Sequence, residues 1–318
     1  MPGSLRRRRL LRLTGACSLP AAVAPAAAAR NTWPSRPIRI VVPCPPGSLS
    51  DMLARLIAGR LEKQFGQPVE VENRPGSGMR GSTRYTGGAA PDGYTLMMAG
   101  SFTPQAALSE DLVAGAMLGA ATLFLVSHPA VPATSVPMLM AALRARQGLY
   151  TYASPGEGTI NHLLMVLLCH ADKAQARHVP YESSKAALAD VISGRRDLMW
   201  IDLATAAPHL RRLRPLAVAG KKRSPLFPDM TALAETHADI DFVPWQWIAA
   251  PAGTPGAITR RLAEEINRAL GEPAFRQRLS DMGVEANPMD ITEANTLIAR
   301  DADRWTNAIR QASSLMIQ

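Results

Sequence analysis

Short apolar runs alternate with amphipathic segments along most of this chain, and glycine or proline separates them. The first apolar run, 38–42, predicts a buried strand that enters a Pro/Gly loop, and a helix with one apolar face is predicted at 52–65. Further strands are predicted at 69–72 and 94–99, around a second glycine loop and a short helix. This order is the βαβαβ rhythm of a mostly parallel α/β sheet.

Two loops lead from a strand directly into a helix. Asp51 stands before the first helix and is predicted to cap it, because its carboxylate can accept hydrogen bonds from the first-turn N–H groups. A second such unit has a strand at 149–153, a glycine loop at 154–158 and a helix at 160–168 that Thr159 is predicted to cap. Free N–H groups at a helix start favour an anion, so both loops are predicted anion sites, although neither contains Lys or Arg.

His162 falls in the first turn of this second helix, where it either faces a ligand or is a half-exposed helical histidine. A later strand, 197–201, ends on Asp202 ahead of a short helix, and strand ends of this kind line clefts in α/β sheets.

The remaining segments are predicted as follows. The segment 101–121 is rich in Ala and Gly and has little periodicity, so we predict no element there. The apolar segment 242–249 is interpreted as an extended connector. Strands are also predicted at 123–127, 177–181 and 215–219, and helices at 138–146, 183–192, 257–270, 273–282 and 291–313.

Composition indicates a globular protein. The chain has 318 residues, enough for two domains, with 47% hydrophobic and 19% charged residues. Aromatic residues make up only 5%, which argues against a stacking surface for single-stranded nucleic acid. Five arginines before residue 30 carry much of the net charge of +9, and without them 35 basic residues fall to 30 against 26 acidic ones. We therefore expect no nucleic-acid partner.

The first 29 residues are predicted to be a signal peptide, because an arginine-rich start precedes a small apolar stretch and the pattern Ala27-Ala28-Ala29. The mature protein is then expected to begin near Arg30 and to be exported and soluble, in the periplasm. Cys44 and Cys169 remain in it, and we expect both thiols to be unpaired. No spacing of Cys and His favours a metal site.

Two kinds of chemistry have weak support. Gly76, Gly78 and Gly81 form a G-x-G-x-x-G pattern, but no acidic residue stands where a ribose partner is expected, so no cofactor is predicted. Ser50 or Ser154 with His162 would be the nucleophile and base of a hydrolase. No G-x-S-x-G elbow or acidic orienting residue accompanies them, so we do not predict an enzyme.

Phrases spread over nearly the whole mature chain resemble the extracytoplasmic solute-binding receptors of the tripartite tricarboxylate transporter system, the Bug (Bordetella uptake gene) family. They are Trp33-Pro34-Ser35-Arg36-Pro37-Ile38, Pro43 with Pro45-Pro46-Gly47 and Asp51, Val71-Glu72-Asn73-Arg74-Pro75-Gly76, Ala90-Pro91-Asp92-Gly93-Tyr94-Thr95, Gly158-Thr159 with His162-Leu163, His178-Val179-Pro180-Tyr181, Leu216-Ala217-Val218, Lys222-Arg223-Ser224-Pro225, and Ala250-Pro251-Ala252-Gly253-Thr254-Pro255.

The resemblance implies an α/β, two-lobed periplasmic binding protein fold of the type II-like kind with two hinge connectors. The expected division is a signal peptide at 1–29, the first part of lobe 1 at 30–127, lobe 2 at 128–241, and a return to lobe 1 with the C-terminal helices at 242–318. It also implies a ligand carboxylate held by two loops, one per lobe, largely through backbone N–H groups and water. The implied ligand-binding residues are Pro46, Gly47, Ser48, Leu49, Ser50, Asp51, Ser154, Gly156, Gly158, Thr159, His162, Asp202, Thr205 and Trp245.

The implied function is capture of a small organic carboxylate for a tripartite tricarboxylate-type transporter or for sensing, by a monomer with membrane subunits or a sensor as partner. The sequence departs from the family pattern in four places. Ser48-Leu49-Ser50 replaces a run of glycines, Ile201 takes an acidic position next to Asp202, Trp247 replaces a small residue, and 102–123 is shorter. A homologue that has lost its ligand and acts as a signalling or interaction protein is therefore the alternative.

Overall fold

The computed structural model describes residues 33–76, 80–100 and 111–316, and these form two mixed sheets with helices on their faces. The expected signal peptide at 1–29 lies outside the described residues, as does the 101–110 part of the segment expected to be shortened. The first sheet has the strand order β11 (Val284–Ala286), β4 (Leu112–Ala121), β10 (Trp245–Pro251), β3 (Thr95–Gly100), β1 (Ile38–Val42) and β2 (Val69–Asn73). The second has the order β7 (Arg177–Pro180), β6 (Thr151–Ser154), β8 (Leu198–Asp202), β5 (Leu123–Ser127) and β9 (Arg214–Val218).

The predicted βαβαβ unit is confirmed at the start of the first sheet. Its elements are β1 (Ile38–Val42), α1 (Leu49–Phe65), β2 (Val69–Asn73), α2 (Arg80–Gly87) and β3 (Thr95–Gly100). The strand β1 pairs in parallel with β2 on one side and β3 on the other. Because α1 covers one face of this sheet, β1 is almost entirely apolar, as a strand buried on both faces must be.

The Ala/Gly-rich segment contains a strand that the sequence did not predict, β4 (Leu112–Ala121). This strand lies between β10 and β11, and side chains on both of its faces are buried in separate apolar clusters. Small residues let neighbouring layers approach it from both sides. The alternation that marks a half-buried strand is therefore absent.

The second sheet collects the middle of the chain. Its strands are β5 (Leu123–Ser127), β6 (Thr151–Ser154), β7 (Arg177–Pro180), β8 (Leu198–Asp202) and β9 (Arg214–Val218). Its helices are α3 (Val136–Ala145), α4 (Ile160–Ala171), α5 (Ser184–Ile192) and α6 (Leu203–Ala206), with 3-10 turns at Ala207–Arg212 and Leu233–Glu235. The strand β5 pairs antiparallel with β8 and β9, so it belongs to this sheet although the expected first lobe ran to residue 127.

The chain then returns to the first sheet through β10 (Trp245–Pro251), α7 (Gly256–Gly271), α8 (Pro273–Asp281), β11 (Val284–Ala286) and α9 (Ile291–Met316). The interpretation of 242–249 as an extended connector is wrong for most of its length. From Trp245 it is a central strand, antiparallel to both β3 and β4. A fully buried strand and an apolar connector have the same residue pattern, which explains the error.

Thr122 and helix α9 both join the sheets, in addition to the connecting segment 219–244. Thr122 alone separates β4 of the first sheet from β5 of the second, and its backbone N–H donates to the Gly283 carbonyl at 2.7 Å. Helix α9 begins against the first sheet with Ala294 and Ile298, and farther along Trp305 is buried in the apolar cluster of the second. One continuous helix therefore contacts both cores.

Within 33–76, 80–100 and 111–316, no helix has the length and apolar character of a membrane span. Cys44 and Cys169 are free thiols, as predicted. The described residues contain no cluster of three or more His, Cys, Asp or Glu suited to a metal ion.

Candidate functional site

The two strand–loop–helix units have the same local structure. In the first, Ser48 is the N-cap of α1 and its hydroxyl accepts from the Asp51 N–H at 3.3 Å. In the second, Thr159 is the N-cap of α4 and accepts from the His162 N–H at 3.4 Å. The prediction for Thr159 is confirmed, whereas the prediction that Asp51 caps α1 is wrong, because the helix begins at Leu49, three residues earlier than predicted.

Asp51 instead reaches back over the loop that it follows. Its carboxylate accepts from the backbone N–H of Gly47 at 2.8 Å and from the Asn73 amide at 2.9 Å, and it forms an ion pair with Arg55. Burial alone would raise the pKa of Asp51, but the hydrogen bonds from Arg55, Gly47 and Asn73 outweigh burial and lower it. Asp51 therefore stays ionised and fixes the loop.

His162 performs the matching task in the second unit. Its Nδ1 accepts from the Gly158 N–H at 3.1 Å, and its ring stacks on His178 with centroids 4.2 Å apart. Only 2% of His162 is exposed, so the half-exposed alternative is wrong. Burial, and then the nearby His178, lower the pKa of His162 to about 4, which leaves the ring neutral and able to accept.

These bonds leave two backbone N–H groups free at each helix start. The first two helical residues are Leu49 and Ser50 in α1, and Ile160 and Asn161 in α4, and no described residue accepts from their N–H groups. The N-cap hydroxyl serves the third residue of each helix. Two matching pairs of free donors therefore remain, which is the arrangement that binds an anion at a helix N-terminus.

All four residues line one cavity of about 610 Å³ between the two sheets. Of the predicted site residues, eight line it: Pro46, Gly47, Ser48, Leu49, Ser50, Thr159, Asp202 and Thr205. Six do not: Asp51, Ser154, Gly156, Gly158, His162 and Trp245. All of these except Trp245 belong to the two strand–loop–helix units, and they form or stabilise the loops without lining the cavity.

Trp245 misses the cavity because neighbouring residues of a strand point to opposite faces. Its side chain packs with the apolar cluster on the far face of the first sheet, whereas Gln246 lines the cavity. Trp245 stays a predicted ligand-binding residue, but it is not among the described residues that line the cavity.

Lys185 is the only cation among the described residues that line the cavity, and the sequence analysis missed it. It lies in the first turn of α5, outside both predicted loops. A Cβ atom built on Gly47 would lie 2.5 Å from Lys185 Nζ, so the ammonium group lies against the first loop. The structure thus adds a positive charge to the pair of helix N-termini.

The cavity floor carries a buried acid. Asp202 is the N-cap of α6, and its carboxylate accepts from the Thr205 N–H at 2.9 Å and from the Thr205 hydroxyl at 3.0 Å. Burial raises the pKa of Asp202 in spite of these bonds. Burial likewise raises the pKa of the Cys44 thiol, which also lines the cavity, to about 11, so this thiol is neutral.

Ser154 and His162, two of the residues weighed for a hydrolase, are not hydrogen-bonded as a nucleophile and base. Ser154 Oγ lies 2.7 Å from His178 Nε2 rather than from His162, and Ser154 has no exposed surface. Its hydroxyl also bonds to the N–H and carbonyl of Gly156. These contacts hold the second loop in shape.

Comparisons with known proteins identify the family of this chain. Residues 53–314 match the model of the tripartite tricarboxylate transporter family receptors. The protein BugT of Bordetella pertussis is 33% identical, over 96% of this chain and 98% of its own.

Two solved structures are also similar. Rpa4515 of R. palustris with adipate has a TM-score of 0.81 and 27% identity, over 88% of this chain and 98% of its own. MatC of Rhodopseudomonas palustris with bound malate has a TM-score of 0.79 and 26% identity, over 87% of this chain and 100% of its own. The expected fold class, an α/β, two-lobed periplasmic binding fold, is confirmed. The chain belongs to the tripartite tricarboxylate transporter receptor family, as its sequence motifs suggested.

Proposed function

We propose that this receptor captures a small organic carboxylate in the cavity between its lobes, with one carboxylate held by the N-termini of α1 and α4. The observation that carries the proposal is the pair of free N–H groups at each helix start, Leu49 with Ser50 and Ile160 with Asn161, which all line one cavity. Lys185 adds a positive charge beside the first loop. Related receptors bind adipate and malate, which supports a ligand of this class.

Binding would act by shifting the population of open and closed arrangements, because a ligand that touches both lobes favours the closed one. In this proposal the two crossings between the sheets are the hinges, and the lobes divide near Thr122 and within 219–244. The receptor works in the periplasm as a monomer and delivers its ligand to the membrane subunits of a transporter or to a sensor. Membership of this receptor family supports that assignment.

The alternative of a homologue that has lost its ligand rested on the shortened segment 102–123, which lies partly outside the described residues, and on Leu49, which replaces a glycine. Leu49 is 8% exposed and its side chain packs in the core of the first sheet. A cavity of about 610 Å³ remains open beside it. The replacement therefore does not favour loss of binding.

Calorimetric titration of the mature protein with mono-, di- and tricarboxylates of three to six carbons tests the proposal. We expect saturable binding of at least one acid, which Gly158→Val abolishes because Gly158 has a φ of +72° that a branched residue resists. Gly148→Val is the matched control, since Gly148 has a φ of +71°, equally open surroundings and no place at the cavity. A folded wild-type protein that binds no acid would overturn the proposal.

A further inference from the structure

The side-chain amide of Gln246 is buried without a described hydrogen-bond partner. Only 1% of this residue is exposed, yet neither its side-chain nitrogen nor its side-chain oxygen has a hydrogen-bond partner among the residues that the structure describes. Buried polar side chains are nearly always paired, and an unpaired one costs stability. An amide with both atoms unpaired therefore indicates a group that a ligand completes.

The position of Gln246 leaves room for such a ligand. It lies in the central strand β10, and it lines the cavity. Gln246 is paired with Gly100 on β3 and with Gly119 on β4. Neither glycine has a side chain that would cover the amide, although the backbone of β11 fills the space beside Gly119, so the cavity is the side from which a ligand reaches Gln246.

Two other polar side chains of the cavity, Asp202 and Asn161, are already engaged. The Asp202 carboxylate accepts from Thr205, and the Asn161 side-chain amide donates to the Trp200 carbonyl at 2.7 Å. Gln246 thus holds spare capacity for both donation and acceptance.

The charges that line the cavity restrict which polar group the ligand can carry in addition to its carboxylate. Lys185 is the only described cation that lines the cavity, whereas Asp202 and Glu182 are acidic, so no surplus positive charge is left for a second carboxylate. A carboxamide donates and accepts side by side, which matches a neutral group that does the same.

We propose that Gln246 determines ligand specificity by pairing with a neutral polar group, a hydroxyl or a carboxamide, on a bound monocarboxylate. The inference rests on the proposed function and narrows its ligand class. An unsubstituted alkanoate leaves the amide unpaired, and a dicarboxylate offers it only acceptors beside an acidic floor.

The test compares four acids at each chain length of four, five and six carbons, which differ only at the far end: methyl, hydroxymethyl, carboxamide or carboxylate. We expect the hydroxymethyl or carboxamide acid of one length to bind the wild-type protein about tenfold more tightly than its methyl and carboxylate counterparts. In Gln246→Met, which keeps the length and volume of the side chain, this preference should fall below threefold. A wild-type preference for the methyl or carboxylate end, or a preference that Gln246→Met retains, would overturn this inference. The proposed function would not be affected by either result.

A second readout does not depend on the ligand. Ligand-free Gln246→Met should have a thermal midpoint equal to or above that of the wild type, because two unpartnered polar atoms leave the core. A midpoint several degrees lower would assign Gln246 a structural role and overturn the inference. Gln64→Met on the exposed side of α1 is the control, and it should change neither readout. A wild type that binds none of the acids would overturn the proposed function as well.

Discussion

Asp51 and His162 occupy equivalent positions in the two halves of the site. Each is the third residue of its helix, and each accepts a hydrogen bond from the N–H of the glycine before the N-cap, Gly47 or Gly158. These glycines have nearly the same φ, +74° and +72°. Two different side chains thus hold the same backbone shape, and they respond differently to mutation and to pH.

Removal of the Asp51 carboxylate should weaken both folding and binding. Asp51→Ala leaves the Gly47 N–H and the Asn73 amide without their acceptor, which should lower the free energy of unfolding by about 1–3 kcal/mol. Asp51→Asn keeps one acceptor oxygen and should lose less. Denaturant titration measures the stability, and Asp303→Ala on the exposed side of α9 should leave it unchanged. Equal losses for Asp51→Ala and Asp51→Asn would contradict this account.

The loop and helix start that His162 stabilises should lose stability in acid. An unfolded histidine takes up its proton near pH 6.5, whereas burial and His178 lower the pKa of folded His162 to about 4. Between these values the unfolded chain holds more protons, so stability falls as the pH falls from about 6.5 to about 4. Protonation also removes the acceptor for Gly158.

Thermal midpoints measured from pH 7 to pH 4 check this prediction. The pH dependence of His162→Phe should be shallower than that of the wild type, since phenylalanine does not titrate. His170 lies on the same helix but is exposed, so His170→Phe should keep the wild-type dependence. A wild-type slope in His162→Phe would show that another group titrates.

Lys185 should contribute to affinity through its charge. Lys185→Ala should weaken carboxylate binding about tenfold, and Lys185→Glu should weaken it further. The loss should shrink as salt is added, because ions screen an exposed ammonium. Titrations at two salt concentrations measure this, with the exposed Lys222→Ala as control. A loss that salt does not change would mean that Lys185 acts through packing.

Gly47 and Gly66 offer a matched pair for the first loop. Both have positive φ, +74° and +66°, so alanine should cost each about 1 kcal/mol of stability. Only at Gly47 would the new Cβ meet Lys185 Nζ, at 2.5 Å, whereas the space around Gly66 is open. Gly47→Ala should therefore weaken binding and Gly66→Ala should not.

A double-mutant cycle completes this test. Because Gly47→Ala acts by displacing Lys185, its effect on affinity should be smaller in the Lys185→Ala background. Additive effects on the binding free energy would show that the two residues act independently.

The sequence was sufficient for the elements whose pattern is local. The strand β1 and the cap at Thr159 follow from an apolar run and from a hydroxyl residue directly before a helix. The strand β4 was missed because its small residues are buried on both faces and show no alternation.

The cavity residues that the sequence did not reveal depend on tertiary structure. Lys185 reaches the first loop only because α5 starts beside the cavity, and nothing in its neighbours marks that. Gln246 rather than Trp245 faces the cavity because alternate residues of β10 point to opposite faces of the sheet. Which residues face the cavity is fixed by the pairing of β10 with its antiparallel neighbours β3 and β4. The segments 47–51 and 158–162 share one order of residues, which was visible in the sequence: a glycine, a hydroxyl residue, two further residues and a hydrogen-bond acceptor. This pattern would have identified Asp51 and His162 as the residues that hold the two loops in shape.

The link at Thr122 limits how the two sheets can move. One residue provides no slack, and both its backbone N–H, on Gly283, and its hydroxyl, 3.4 Å from the Ser224 hydroxyl, are engaged. The other crossing, 219–244, is long enough to follow any displacement. In the proposed closure we therefore expect a rotation about the short link, which α9 follows, rather than a sliding of one sheet past the other. In such a rotation the distance from Thr122 sets how far each cavity residue travels, so Leu123, which is bonded to Thr122, is expected to move least.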